Sequence, residues 1–180
     1  MMLKYFAGVF FAAVLVSTAA YADSREEIDR RVDRKLAEFR AEVDGAAEVL
    51  DRAAGVLVFP RVIKAGFVFG GEYGEGALRV GGRSVAYYST ASASWGFQIG
   101  GQARTLILAF MTEEALNKFR YSDGWEIGVD ASVAVVTVGA GGSIDTTQTG
   151  RPILAYVYDQ RGAMANLTLE GTKISRIHRD

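Results

Sequence analysis

Arg61 and Lys64 are two cations close together in the chain, and the aromatic residues Phe67 and Phe69 follow them directly. Guanidinium and ammonium groups bind phosphate oxygens through charge-assisted hydrogen bonds, and aromatic rings pack against apolar chains. This combination predicts a lipid site with the cations at the headgroup phosphate. A simpler interpretation stays open, because cation pairs are common at strand ends and aromatic rings ordinarily fill a core.

A glycine-rich aromatic motif occurs twice, as GFVFGG at 66–71 and as GFQIGG at 96–101. Glycine weakens a strand, so its repeated use indicates bulges or close approach of backbones. Gaps beside the rings predict an apolar groove that takes an acyl chain, with aromatic rings around it. Trp95 and Phe97 of the second copy join the residues of the first copy as candidates for lining this groove.

Side chains suited to catalysis or metal binding are scarce. His178, close to the end of the chain, is the only histidine, and there is no cysteine. A catalytic triad or a histidine metal site needs an imidazole held firmly in the fold. The acidic pairs Glu113-Glu114 and Glu72 with Glu75 fall in a predicted helix start and a glycine turn, where carboxylates are normally solvated. We expect a non-enzymatic protein with no metal site and no cofactor.

Composition limits the remaining classes. The 180 residues include 20 basic and 21 acidic side chains, and 49% are hydrophobic. Balanced charge argues against a nucleic-acid binder, which would carry a basic face. No proline- or serine-rich linker divides the chain. We predict one α+β domain that is rich in glycine-studded antiparallel strands.

Residues 1–22 have the pattern of a secretory signal peptide. Lys4 precedes an apolar run at 5–16, and Ala20-Tyr21-Ala22 forms a cleavage pattern. The apolar run is shorter than the roughly 20 residues of a membrane-spanning helix, although a retained N-terminal anchor is the alternative. We expect the domain at 23–180 to be exported to the periplasm, where it is peripheral to the membrane.

An amphipathic helix is predicted at 24–52. Ser24 and Glu27 form a capping box, and apolar residues follow at spacings of three and four. The predicted stripe consists of Ile28, Val32, Leu36, Phe39, Val43, Ala47 and Leu50. The other faces hold more acidic than basic residues, which favours a solvated face over a membrane-surface helix.

From residue 53 the pattern changes to short apolar runs separated by glycines, which predicts a β-rich core at 53–145. The predicted strands lie at 56–59, 64–69, 77–80, 84–89, 95–101, 104–110 and 126–138. Pro60 is expected to end the first strand, and 70–71 and 74–76 to form turns. Thr112 is the predicted N-cap of one short internal helix. Closing strands are predicted at 153–158 and 163–169, with an edge strand at 173–178.

Residues 53 to about 145 resemble the SYLF lipid-binding domain family. Four segments carry the resemblance in order, namely AGVLVFPRVIKAGF at 54–67, YGEGAL at 73–78, WGFQIGGQ at 95–102 and GVDASVA at 128–134. The resemblance implies a non-enzymatic module that binds lipids, including phosphoinositides in eukaryotic relatives, and actin in some fungal members. The motif positions that it marks in this chain are Lys64, Gly66, Phe67, Gly96, Gly100 and Asp130.

With a predicted export signal and no adaptor domain, the chain looks like the bacterial secreted branch of that family. The expected partner is a phospholipid or membrane surface of the cell envelope, and neither nucleic acid nor actin is expected. The predicted lipid-binding residues are Arg61, Lys64, Phe67, Phe69, Trp95 and Phe97. An alternative is an envelope structural or protein-interaction module that pairs with a protein through an exposed strand edge.

Overall fold

A computed structural model describes residues 23–66, 69–95, 102–131, 133–145, 150–161 and 169–179. These residues form α1 (Arg25–Glu42), α2 (Ala46–Arg52), β1 (Gly55–Gly66), β2 (Phe69–Val80), β3 (Arg83–Trp95), β4 (Gln102–Phe110), α3 (Glu113–Arg120), β5 (Trp125–Glu126), β6 (Ala134–Val138), β7 (Ile153–Arg161) and β8 (Lys173–Ile177). The predicted β-rich α+β class is confirmed. The predicted signal peptide and most of the predicted strand at 163–169 lie outside the described residues.

The eight strands form one curled sheet in the order β5-β8-β3-β2-β1-β4-β7-β6. Most neighbours are antiparallel, but β6 and β7 are parallel, so the prediction of a wholly antiparallel sheet was wrong for this pair. Parallel neighbours need a long connection, and residues 139–152 supply it between the end of β6 and the start of β7. The predicted edge strand, β8, lies between β5 and β3.

Each face of the sheet carries its own hydrophobic core because side chains alternate along the strands. On one face, α1 and α2 cover Val56 and Val58 of β1, and we call this the helical face. On the other, Leu57 and Phe59 pack with α3, β5 and β8, and we call this the inner face. Strands β1, β4 and β7 contribute to both cores.

The predicted N-terminal helix is two helices rather than one. The side chain of Ser24 caps α1 by accepting a hydrogen bond from the backbone N–H of Glu27, as predicted. The break falls at Gly45, whose φ of 83° is in the left-handed region, and α2 begins at the next residue. The break shifts the phase of the apolar stripe, so Ala46 and Val49 are buried and the predicted Ala47 is exposed.

Strand β1 continues through Pro60 instead of ending there. The register with both β2 and β4 shifts around this residue, which marks a bulge. Proline is tolerated at a bulge because it donates no ladder hydrogen bond. Its carbonyl oxygen accepts a buried hydrogen bond of 3.1 Å from the hydroxyl of Thr105. The bulge brings Arg61 and Ile63 to the helical face.

Other strand and turn boundaries differ from those predicted. The glycines at 70–71 and 74–76 lie inside β2 and not in turns. The predicted strand at 126–138 is interrupted after Glu126 by a turn that contains Gly128, whose φ is 90°. The N-cap Thr112 and the short helix α3 are confirmed. In the described part of the chain, no helix has the length and hydropathy that crossing a membrane requires.

Candidate functional site

The aromatic part of the predicted lipid site is described only in part. Phe67 and Phe97 lie outside the described residues. The backbone of Phe69 begins β2 and that of Trp95 ends β3, and the register pairs these two residues directly. Both therefore lie at the same end of the sheet, while the predicted acyl-chain groove stays a prediction.

Arg61 and Lys64 lie on opposite faces of the sheet. Val62 belongs to the inner core, and Lys64 follows on the same side, where it contacts Glu72. Arg61 lies on the helical face, in a cleft beside α1. Their closeness in sequence suggested that the two cations bind one headgroup. Because they lie on opposite faces of the sheet, they do not.

Arg61 opens onto a basic cleft of about 380 Å³ between α1 and the bulged part of the sheet. We call it the basic cleft. Its charged lining residues are Arg31, Arg34, Lys35, Arg61 and Asp159, and Arg104 borders it while its guanidinium contacts Glu72 on the inner face. Four of the five are cations, which contrasts with the balanced charge of the whole chain.

Several of these cations already have acidic partners. The ammonium group of Lys35 lies 2.7 Å from a carboxylate oxygen of both Glu38 and Asp159. Burial alone would lower the pKa of Lys35, but the hydrogen bonds from these two carboxylates outweigh it and the pKa is raised. Arg31 similarly lies 2.7 Å from Glu27, which precedes it by four residues on α1.

The guanidinium of Arg61 differs from these. Among the residues that the structure describes, no carboxylate forms an ion pair with it. Glu75, which lies opposite Arg61 in the strand register, instead pairs with Arg179 and accepts a hydrogen bond of 2.7 Å from the Tyr73 hydroxyl. Arg61 is exposed, so its charge is available to a ligand.

Two exposed apolar side chains lie next to Arg61 on the helical face. Ile63 is 42% exposed and Tyr73, its cross-strand partner, is 52% exposed. Partial burial and the hydrogen bond to Glu75 raise the pKa of Tyr73 to about 12, so the phenol is neutral at ordinary pH. We call Arg61, Ile63 and Tyr73 the Arg61 surface.

On the inner face, Lys64, Glu72 and Arg104 form a buried ionic cluster. A carboxylate oxygen of Glu72 lies 2.5 Å from the Arg104 guanidinium, and the other lies 3.8 Å from the Lys64 ammonium. Burial lowers the pKa of Arg104, while the charge of Glu72 acts in the opposite direction. Neither Glu72 nor Glu75 is the solvated turn carboxylate that the sequence predicted, because both lie within β2 and hold partly buried ion pairs.

Two glycines that the sequence placed in a turn lie instead against the backbone of β1. A Cβ atom at Gly76 would lie 2.0 Å from the Val58 carbonyl oxygen, and one at Gly74 would lie 2.7 Å from that of Arg61. The backbone of the β1 bulge occupies the space beside them. These glycines permit close strand packing and leave no gap for an acyl chain.

The motif position Asp130 has a structural role. Its carboxylate accepts a hydrogen bond of 2.6 Å from the backbone N–H of Glu126 and closes the turn after β5. Gly66 pairs with Gly70 at the end of the β1–β2 ladder. Gly96 and Gly100 lie outside the described residues.

Sequence reasoning missed the α1 cations and Arg104. Arg31, Arg34 and Lys35 were treated as part of a solvated helical face, since nothing local shows that the bulge of β1 lies opposite them. Arg104 begins a strongly apolar run, ARTLILAF at 103–110, and a cation before such a run was the available signal. Over the described ranges, no group of histidine and acidic residues could hold a metal ion.

Comparison with known protein families matches residues 91–179 to the family Ysc84, described as Las17-binding protein actin regulator. The match begins within β3 and ends after β8. It contains the third and fourth segments that resemble the SYLF family, while the first two segments precede it. The predicted family is confirmed. No curated protein matches the chain significantly.

Proposed function

We propose, given that residues 91–179 belong to the Ysc84 (SYLF) family, that this chain is a non-enzymatic protein that binds anionic lipid surfaces through the Arg61 surface. The family is one of binding domains whose partners are lipids or actin-related proteins. The observation that carries the proposal is the exposed guanidinium of Arg61, which has no acidic partner among the described residues and lies beside exposed Ile63 and Tyr73.

Electrostatic attraction supplies part of the binding. Each basic residue near an anionic bilayer contributes about 1 kcal/mol, and this attraction is screened over roughly 8–10 Å at physiological salt. Arg34 at the rim of the basic cleft adds to Arg61, because its partner Glu38 is 3.9 Å away and both side chains are partly solvated. Two such cations give only weak binding, which salt should reverse.

Apolar contact supplies the rest. Tyrosine is favoured at membrane interfaces because its ring is apolar and its hydroxyl is polar. Tyr73 and Ile63 form a small apolar patch next to the cation, an arrangement that suits shallow contact with the headgroup region. We propose peripheral binding at this surface.

The compartment is part of the proposal. The predicted signal peptide at 1–22 supports export, so the lipid surface would be that of a bacterial cell envelope. Las17 binding and actin regulation are stated in the description of the family. An exported chain would not meet these cytoskeletal partners, and we do not propose them.

Co-sedimentation with vesicles tests this function. The purified protein should bind vesicles of phosphatidylethanolamine with phosphatidylglycerol, bind phosphatidylethanolamine alone much less, and dissociate at high salt. Arg61→Gln should weaken binding roughly fivefold, the equivalent of about 1 kcal/mol. Arg83→Gln is the matched control, because Arg83 is an exposed arginine at the opposite end of the sheet. Equal binding by both variants, or none by the native protein, would reject the proposal.

A second candidate is a protein-interaction module, and strand β6 favours it. In the part of the chain that the structure describes, β6 pairs with β7 only, so its other edge is open. It contains no charge and no proline, and Val135 is 44% exposed. Such an edge can accept a strand from a partner.

Thr137→Lys tests this alternative by placing a charge on the open edge. A partner captured from an envelope extract that is lost in this variant, while vesicle binding stays absent in both proteins, would favour the protein-interaction function. Vesicle binding that is unchanged in Thr137→Lys but weakened in Arg61→Gln would favour the lipid function.

A further inference from the structure

The buried ionic cluster on the inner face carries an unbalanced charge. Lys64, Glu72 and Arg104 are 15%, 9% and 8% exposed at their side chains, and together they carry two positive charges and one negative charge. Buried charges are normally balanced, since an isolated ion loses its hydration without compensation. The cluster therefore has the electrostatics of a site for one further negative charge.

Arg104 also has a donor that no protein group uses. Its Nε–H is buried, and no acceptor lies within hydrogen-bond distance of it among the described residues. A buried donor left unsatisfied is unfavourable by roughly 1–3 kcal/mol, or more for a charged group. Glu72 contacts another nitrogen of the same guanidinium, so it does not fulfil this role.

A small cavity lies beside the cluster, and Arg104 is one of its lining residues. It measures about 10 Å³ and is lined by Val62, Gln102 and Ala103 together with the three charged residues. That is about the smallest space that holds one water-sized species. Lipid headgroups and acyl chains are far larger, so the cavity fits a small ion.

The segments that continue β1, β2, β3, β4 and β7 beyond this end of the sheet contain no acidic side chain that could neutralise the cluster. The segments that follow or precede these strand ends are AGFVFGG at 65–71, SWGFQIGG at 94–101 and QRGAMANLT at 160–168. None contains aspartate or glutamate. These three segments therefore supply no further negative charge to the cluster.

We propose that Lys64 and Arg104 bind a small monovalent inorganic anion of the halide class, held by the Arg104 Nε–H and the Lys64 ammonium. This site is independent of the lipid function, because it lies on the other face of the sheet from the Arg61 surface. The bound ion neutralises the cluster and stabilises the ends of β1, β2 and β4.

The test is bromide binding by the intact protein. Crystals grown in sodium bromide should show an anomalous scattering peak between Lys64 and Arg104. In solution, bromide or chloride should raise the Tm relative to gluconate at the same ionic strength and pH. The expected rise is roughly 3–6 °C at ten times the Kd, from ligand linkage and the size of the domain.

Two variants remove the site in different ways. Arg104→Gln and Lys64→Gln should each abolish the difference in Tm between bromide and gluconate, and the second keeps the test available if the first fails to fold. Arg83→Gln should retain the difference. No anomalous peak at the cluster, equal Tm values in the two salts, or a difference that persists in Lys64→Gln would overturn the proposal.

Discussion

Gly76 lies so close to β1 that its lack of a side chain determines how two central strands pack. A Cβ atom there would also lie 2.8 Å from the Phe59 ring, in addition to its contact with the Val58 carbonyl. Backbone atoms cannot move aside as flexible side chains can. The sequence placed this glycine in a turn, because nothing local to it shows that the backbone of β1 packs against it.

We expect Gly76→Ala to lower the free energy of unfolding by about 3 kcal/mol, because the new methyl group forces β1 and β2 apart at the bulge. Gly71→Ala is the matched control in the same strand, since the nearest atom to its Cβ would be 3.9 Å away. Urea unfolding of the two variants measures the difference. Similar stabilities would mean that the bulge can relax without loss.

Tyr156 predicts a loss of stability at alkaline pH. Burial raises the pKa of its phenol from 10 to about 12. The folded state favours the protonated phenol, so this contribution is complete below pH 10 and is lost as the pH rises towards 12. Tyr156→Phe keeps the ring and removes the ionisable group. Between pH 10 and 12, the free energy of unfolding of Tyr156→Phe should fall less steeply with pH than that of the native protein. The difference between the two slopes should be up to about 1.4 kcal/mol per pH unit.

Urea unfolding at about pH 9, 10 and 11 measures this slope. Tyr121→Phe removes an exposed hydroxyl and should retain the native slope. If Tyr156→Phe also retained it, another group would be responsible for the alkaline loss.

At the scale of elements, the sequence predicted features that depend on neighbouring residues but not those that depend on long-range contacts. Ser24 and Thr112 correctly predicted the starts of α1 and α3, because capping depends on residues three apart. The break at Gly45 and the bulge at Pro60 depend on what packs against each segment, so the sequence predicted one helix and a strand end there. Arg61 could be predicted as a site residue from its neighbours in sequence. The basic cleft could not be predicted, because it depends on the position of α1 opposite Arg61.

Helix α3 should depend on its N-cap. The Thr112 hydroxyl accepts a hydrogen bond of 3.2 Å from the backbone N–H of Ala115, and the helix buries Leu116 and Phe119 in the inner core. We expect Thr112→Ala to lower the free energy of unfolding by about 1 kcal/mol and Thr112→Ser to preserve most of it. Thermal unfolding of both variants decides this, and equal losses would show that the methyl group, and not the cap, matters.

At the scale of the whole molecule, two cores share one sheet. Strand β4 places Leu106 and Leu108 in the inner core and Ile107 in the helical core, so neither core can come apart without disturbing the other. The strand order that produces this arrangement joins residues far apart in the chain. For that reason it could not be predicted from sequence, although the β-rich class could.

This sharing predicts a single cooperative unfolding transition. Trp125 is buried in the inner core, while α1 belongs to the helical core. In a Trp95→Phe variant, the fluorescence of Trp125 and the far-ultraviolet circular dichroism of the helices should give the same urea midpoint. Separate midpoints would mean that α1 undocks while the inner core stays folded.

The bulge at Pro60 also sets the parity of β1. Before it, even-numbered residues such as Val58 face the helices, and after it odd-numbered residues such as Ile63 do. The inserted residue exchanges odd and even positions along the strand, so Arg61 faces the helices and Lys64 faces the inner side. Deletion of Pro60 would remove the insertion without exchanging the faces, because every later residue moves up by one position, and Lys64 would stay on the inner face. The separation of the two cations follows from their odd spacing in an alternating strand, and the bulge accommodates Pro60 without changing it.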